Sequence, residues 1–191
     1  MFFLAALPSA CDRKSQPAQS NSAPNAIAPL VETIATDTTA YSSAHYLFLR
    51  VLSDGRLEYH DRFRVDLTQP LPLLNYTLTA ADLTELHAVL NDPQVAALSG
   101  SFAREDAGVT HAEWIVHIPR RDHLQTIAFV NFGNFHGGPG KPPLPDSAFR
   151  LGCTIEKLHY QSPSQSKLFT WTPTDECKKF TAPQQSALQK P

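Results

Sequence analysis

The sequence HYLFLRVLSDGRLEYH, residues 45–60, contains two apolar-rich runs on either side of a Ser-Asp-Gly segment. The second run alternates apolar and polar side chains, which is typical of a strand with one buried face. We predict a hairpin with a three-residue turn, in which Gly55 is left-handed and Arg50 lies opposite Glu58. A two-residue turn would mix apolar and polar side chains on each face, so the hydrophobic pattern favours the longer turn.

The patterning after this hairpin predicts a helix, a second hairpin and a final helix. Thr79 is a suitable N-cap, and four apolar residues at helical spacing follow it: Leu83, Leu86, Val89 and Leu90. The second hairpin spans 113–132 and the final helix spans 147–160. The order ββαββα predicts an α+β fold with a four-stranded antiparallel sheet, or a five-stranded one if 168–171 joins it. Two helices cover one face, and the other face meets water or a partner.

The composition divides the chain into a domain and two arms. Residues 12–43 are rich in Ser, Ala, Pro, Asn, Gln and Thr, and we predict a disordered tether there. Residues 44–160 form the α+β domain, in which the proline-interrupted segment 68–76 is predicted to be a loop. Residues 161–191 are predicted to be an extension with a short strand at 168–171 and a disordered tail.

The N-terminal segment MFFLAALPSAC, residues 1–11, is apolar and ends in small residues before a cysteine and a charged run. It resembles the end of a bacterial lipoprotein signal peptide, in which the cysteine becomes the lipidated N-terminus. The resemblance implies lipidation of Cys11 and a location in the cell envelope, with membrane contact through that lipid alone. A signal peptide cleaved after Ala10, leading to secretion or the periplasm, and an ordinary cytoplasmic N-terminus are the alternatives.

The other two cysteines are Cys153 and Cys177. Export would place them in an oxidising compartment, where a disulfide between them would join the C-terminal segment to the final helix. The alternative is that Cys153 is a buried small hydrophobic residue, and both interpretations remain open at this point. Neither Cys-x-x-Cys nor a paired His/Cys spacing occurs, so we predict no metal site and no cofactor.

Part of the core has a family resemblance. The strand, Ser-Asp-Gly turn and strand over Tyr46–Tyr59, with the helix starting at Ala80, resemble small bacterial domains of unknown function. This resemblance implies no activity.

The Gly/Pro-rich segment 131–145 is the first candidate site. Its glycines permit close approach of a ligand to the backbone, and Asn134, His136 and Lys141 supply polar contacts. A variable connection to the final helix is the alternative interpretation.

The polar face of the first hairpin is the second candidate site. Its predicted partner-binding residues are Arg50, Arg56, His60, Arg62 and Arg64. Arginine-rich, partly aromatic faces suit protein recognition, although a solvated strand face would have the same composition.

The whole composition excludes several function classes. The chain has 191 residues and a formal net charge of −2, so it has no basic footprint for nucleic acid. We found no nucleophile elbow and no His-Glu-x-x-His, and we assign no catalytic residue. The leading hypothesis is an envelope-anchored or secreted, non-enzymatic protein-interaction module with an envelope protein as partner. The alternatives are a small-ligand-binding protein or enzyme that uses 131–145, and an inhibitor-like or immunity-like protein.

Overall fold

The computed structural model describes residues 27–38, 43–61, 70–103, 111–132, 144–163 and 175–181. Across these ranges, one seven-stranded sheet is combined with four helices. The α+β class is therefore confirmed, but the sheet is larger than the four or five strands predicted.

The element order differs from the predicted ββαββα. The strands are β1 (Pro29–Thr38), β2 (Ser43–Leu52), β3 (Arg56–His60), β4 (Leu73–Thr77), β5 (Gly100–Ala103), β6 (His111–Pro119) and β7 (Leu124–Val130). The helices are α1 (Ala80–Leu90), α2 (Pro93–Ala96), α3 (Asp146–Tyr160) and α4 (Asp175–Thr181). The sheet order is β4-β3-β2-β1-β6-β7-β5, and every pair is antiparallel except β5–β7. Strands β1, β4 and β5 and helices α2 and α4 are absent from the predicted order.

Strand β1 lies at the centre of the sheet, between β2 and β6. The prediction that 12–43 is a disordered tether is therefore wrong for residues 29–38. Val31 and Ala35 are fully buried, but the buried position between them is occupied by the polar Thr33, which weakens the hydrophobic pattern. The strand forms because both of its edges hydrogen-bond to neighbours, which no local pattern reveals.

Strand β4 overlaps the segment predicted to be a loop, 68–76, and continues to Thr77. Pro70 and Pro72 precede the strand and do not interrupt it. β4 is an edge strand of the sheet. Its half-buried side chains, among them Tyr76, alternate with exposed ones, so one face packs on the core.

The first hairpin has the predicted register. Arg50 pairs with Glu58, and Gly55 has a φ of +84°. The Gly55 N–H donates to the carbonyl oxygen of Leu52 at 3.0 Å and closes the turn. This prediction is confirmed because the left-handed glycine and the alternation of the strands require the same register.

A bulge in the β1–β2 ladder follows Thr33, and Phe48 is the extra residue on β2. The Phe48 ring stacks on His159 of α3, with 3.9 Å between ring centroids, and lies 4.5 Å from Trp114. His159 Nδ1 donates to the Phe48 carbonyl oxygen at 2.9 Å. The bulge therefore directs an aromatic ring of β2 towards the helices and anchors the end of α3.

Helix α1 has the predicted cap and buried stripe. Thr79 Oγ1 accepts a hydrogen bond from the Asp82 N–H at 3.1 Å. Leu86, Val89 and Leu90 are buried, and Leu83 packs half-buried against the core. The predicted stripe of the final helix is also buried along α3, at Ala148, Leu151, Ile155 and Leu158.

The C-terminal segment contains a helix that the sequence did not indicate. Helix α4 is joined to α3 by a disulfide between Cys153 and Cys177, whose Cα atoms are 5.4 Å apart. Both cysteines are fully buried. Closing a loop of this length stabilises a fold by roughly 3 kcal/mol in the chain-entropy model. The predicted strand at 168–171 lies outside the described residues.

No helix among the described residues combines the length and the apolar character that crossing a membrane requires.

Candidate partner-binding face

One face of the sheet carries the helices. Tyr76 Oη donates to the Leu158 carbonyl of α3 at 2.6 Å, and Gln125 Nε2 donates to the Val95 carbonyl of α2 at 2.9 Å. Leu86 of α1 belongs to the same buried core. The opposite face, which we call the open face, is not covered by any of the helices in the described ranges.

A row of polar side chains crosses the open face from β4 to β7. Pairing of neighbouring strands aligns one residue from each of six strands: Asn75, Glu58, Arg50, Glu32, His117 and Thr126. We call these six residues the polar row. The row exists because strand register places directly opposed side chains on one face.

Three ion pairs hold the first half of the polar row. Arg50 Nε lies 2.6 Å from Glu32 Oε2, and Arg50 Nη1 lies 3.4 Å from Glu58 Oε2. Arg56, beside the row, places Nε 3.6 Å from Glu58 Oε1. The Arg50 side chain is 37% exposed, so these pairs fix its orientation more than they stabilise the fold.

The last two residues of the polar row, His117 and Thr126, are paired with each other. A hydrogen bond of 3.2 Å joins His117 Nδ1 to Thr126 Oγ1. His117 lies opposite Glu32, so the row continues across the β1–β6 ladder without a gap.

The neighbouring row of side chains on the open face is apolar. Ile34 lies opposite both Leu47 and Ile115, and Ile115 lies opposite Ala128. We call these four residues the apolar row. Leu47 is buried and the other three are half-buried, so the apolar row is partly accessible from the open face.

A second polar line follows on the far side of the apolar row. Thr36 lies opposite both His45 and Glu113, and a hydrogen bond of 2.9 Å joins Thr36 Oγ1 to His45 Nδ1. The open face therefore has an apolar centre with polar side chains on both sides.

His60 is one of the predicted partner-binding residues, and the structure gives it a local role. Its Nδ1 accepts a hydrogen bond from the Leu47 N–H at 3.1 Å, next to the bulge at Phe48. This bond requires an unprotonated Nδ1. Burial, and secondarily the charge of Arg50, lowers the pKa of His60.

The predicted basic patch has a different character from the one expected. Arg50 and Arg56 lie on the open face, but Glu32 and Glu58 balance their charges. Glu32 was not among the predicted site residues, because its strand falls in the segment predicted to be a tether. The local sign of a strand in 29–38 was the presence of β-branched and apolar residues at alternate positions, and this sign was weak.

Several predicted site residues lie outside the described residues: Arg62, Arg64, Asn134, His136, Lys141 and Cys11. The described start of the 131–145 segment is fixed to β6. Asn131 has a φ of +57°, its N–H donates to the Ala112 carbonyl at 2.6 Å, and its Oδ1 accepts from the Ala112 N–H at 3.0 Å.

Within the described ranges, no group of three or more His, Cys, Asp or Glu side chains is placed to hold a metal ion. A scan against protein-family models and a search of curated proteins found no match to this chain.

Proposed function

We propose that this protein is a non-enzymatic interaction module that binds a protein partner through the open face. The observation that carries the proposal is the partly accessible apolar row with polar side chains on both sides. Protein interfaces commonly have an apolar centre and a polar rim, and the centre contributes most of the binding energy.

The polar row would favour recognition of one partner over others. Because Glu32 and Glu58 already hold Arg50, its guanidinium loses little side-chain entropy when a partner binds. Its exposed edge remains available for hydrogen bonds, and ordered charges of both signs disfavour partners with the wrong pattern.

An envelope or extracellular location is the second part of the proposal. The disulfide between Cys153 and Cys177 supports it, since stable disulfides belong mainly to oxidising compartments. We propose that Cys11 carries the lipid. Labelled palmitate should be incorporated into the wild-type protein and not into Cys11→Ser. Retention of the label in that variant would reject lipidation at this residue.

Site-specific photo-cross-linking in the producing cells tests the use of the open face. A photoreactive residue at Thr126, which is exposed on the open face, should give a discrete adduct with another protein. The matched control is Ala88, which is exposed on α1 in the helical layer and should give none. Ile115→Glu should abolish the adduct at Thr126 in a protein that remains folded. Equal adducts from both positions, or an adduct insensitive to Ile115→Glu, would reject the open face as the binding surface.

A further inference from the structure

Strand β4 forms one edge of the sheet, and its outer side has no neighbouring strand among the described residues. The β3–β4 ladder ends in hydrogen bonds from Asp61 N–H to the Pro72 carbonyl at 3.3 Å and from Leu78 N–H to the Gly55 carbonyl at 2.9 Å. Hydrogen-bonded pairs alternate along an antiparallel ladder. The backbone groups that face β3 therefore belong to residues 72, 74, 76 and 78, and those of 73, 75 and 77 face outwards.

The three outward-facing residues, Leu73, Asn75 and Thr77, are all exposed. Among the described residues, none of them makes a backbone hydrogen bond on that side. An unpaired edge of this kind is a template for another strand, and proteins protect such edges with charged side chains, prolines, bulges or short strand length. No charged residue occurs between Pro70 and Thr79.

We propose that a second copy of this chain pairs with the β4 edge in antiparallel orientation, about a two-fold axis at Asn75. The outward-facing groups are symmetric about Asn75, so this one axis lets all three residues bond to the second copy. The nitrogen of Pro72 lies on the β3 side and removes no donor from this edge, which begins with β4 at Leu73. The start of α1 ends the edge on the other side.

The side chains also match in this register. Leu73, which is 52% exposed, lies opposite Thr77 of the second copy. On the helix side, the half-buried Leu74 lies opposite Tyr76 of the second copy. Because β4 is neutral, the two copies bring no like charges of this strand together.

The contact would be small, and this determines its expected strength. A single five-residue strand pair buries less than the roughly 1,200 Å² of a standard interface, so we expect a weak, concentration-dependent dimer. It joins the two sheets edge to edge and places the two open faces on one continuous sheet. The dimer is independent of the proposed partner binding, because Thr126 lies on β7, near the other end of the sheet.

Sedimentation equilibrium of the full chain over a wide concentration range tests the dimer. We expect the wild type to form a reversible dimer. In Leu73→Lys/Thr77→Lys, each new lysine at 73 faces a new lysine at 77 of the second copy, and the dissociation constant should rise by about tenfold or more. In the matched control, Leu73→Lys/Thr77→Glu, the facing charges are opposite and the dimer should persist.

Asn75→Lys provides an independent variant if the double lysine protein does not fold, because position 75 faces its own copy on the axis. It should also weaken the dimer, and high salt should partly restore it. A wild type that stays monomeric at every concentration would overturn the proposal. Equal dimerisation of the two double variants would also overturn it, since the contact would then lie elsewhere. Neither result would change the cross-linking expected at Thr126.

Discussion

At the scale of single residues, the position of the Phe132 ring determines which residue can occupy position 152. A Cβ added at Gly152 would clash with the Phe132 ring. That ring is buried and packs 5.2 Å from Trp114 and 5.1 Å from Phe129, measured between ring centroids, so it has little room to move. A glycine inside a helix is unfavourable, and the position of Phe132 explains why α3 contains one.

We therefore expect Gly152→Ala to destabilise the protein, by about 1–3 kcal/mol, although alanine favours helix formation. Chemical denaturation measures the free energy of unfolding. The double variant Gly152→Ala/Phe132→Leu should be less destabilised than the sum of its two single variants, because the smaller side chain relieves the clash. Strict additivity would show that the ring does not cause the loss.

His60 gives a residue-scale prediction about pH. Its folded-state pKa is lowered, so the unfolded chain binds the proton more readily than the folded chain. The stability contributed by neutral His60 should be complete above about pH 6.5 and should decrease as the pH falls below that value. Protonation would also remove the acceptor for the Leu47 N–H.

The free energy of unfolding, measured by urea denaturation between about pH 5 and 8, tests this prediction. The wild type should lose more stability towards low pH than His60→Gln, whose amide oxygen accepts a hydrogen bond without titrating. Parallel pH profiles for the two proteins would exclude a contribution from His60.

At the scale of elements, one buried amide joins α2 to the sheet. Gln125 Nε2 donates to the Val95 carbonyl at 2.9 Å and to the Leu98 carbonyl at 2.8 Å, and its Oε1 accepts from Arg120 Nε at 2.8 Å. Arg120 Nη1 also donates to the Leu90 carbonyl at the end of α1, at 2.6 Å. The β6–β7 hairpin thus satisfies carbonyls at the ends of both helices.

We expect Gln125→Leu to reduce the free energy of unfolding by about 2–4 kcal/mol, because it removes a buried amide that donates to the Val95 and Leu98 carbonyls and accepts from Arg120 Nε. The matched control is Thr126→Val, at the next residue but on the open face, and it should change stability by less than about 0.5 kcal/mol. Thermal or urea unfolding of both variants gives the comparison. If both variants lost the same free energy of unfolding, the loss would come from changing strand β7 in general and not from removing the Gln125 amide.

The elements that could be predicted from the sequence have strong local signals. The Gly55 turn, the Thr79 cap and the stripe of α3 each agree with one periodicity or one cap rule. Strands β1 and β4 were missed because their pairing partners lie far away along the chain, and pairing is not a local property. The proline before β4 also resembles a loop signal until the strand is known to be an edge.

At the scale of the whole molecule, the same error limited the prediction of the site. The sequence placed Arg50 and Arg56 on one polar face correctly, but the carboxylate of Glu32 and the apolar Ile34 both come from the missed central strand. Because β1 contributes Glu32 and Ile34, the arginines are part of a charge-balanced polar row that lies beside an apolar row. A site built across five or six strands cannot be read from any one segment of the chain.

The most direct test of the open face as a binding surface is cysteine footprinting of Thr126→Cys, with Ala88→Cys as the matched control. Both positions are exposed in the isolated chain, so a membrane-impermeant maleimide should label both purified variants rapidly. In the native envelope or extracellular fraction, we predict that Thr126→Cys becomes protected while Ala88→Cys stays reactive. Equal labelling of both positions in that fraction would contradict the account.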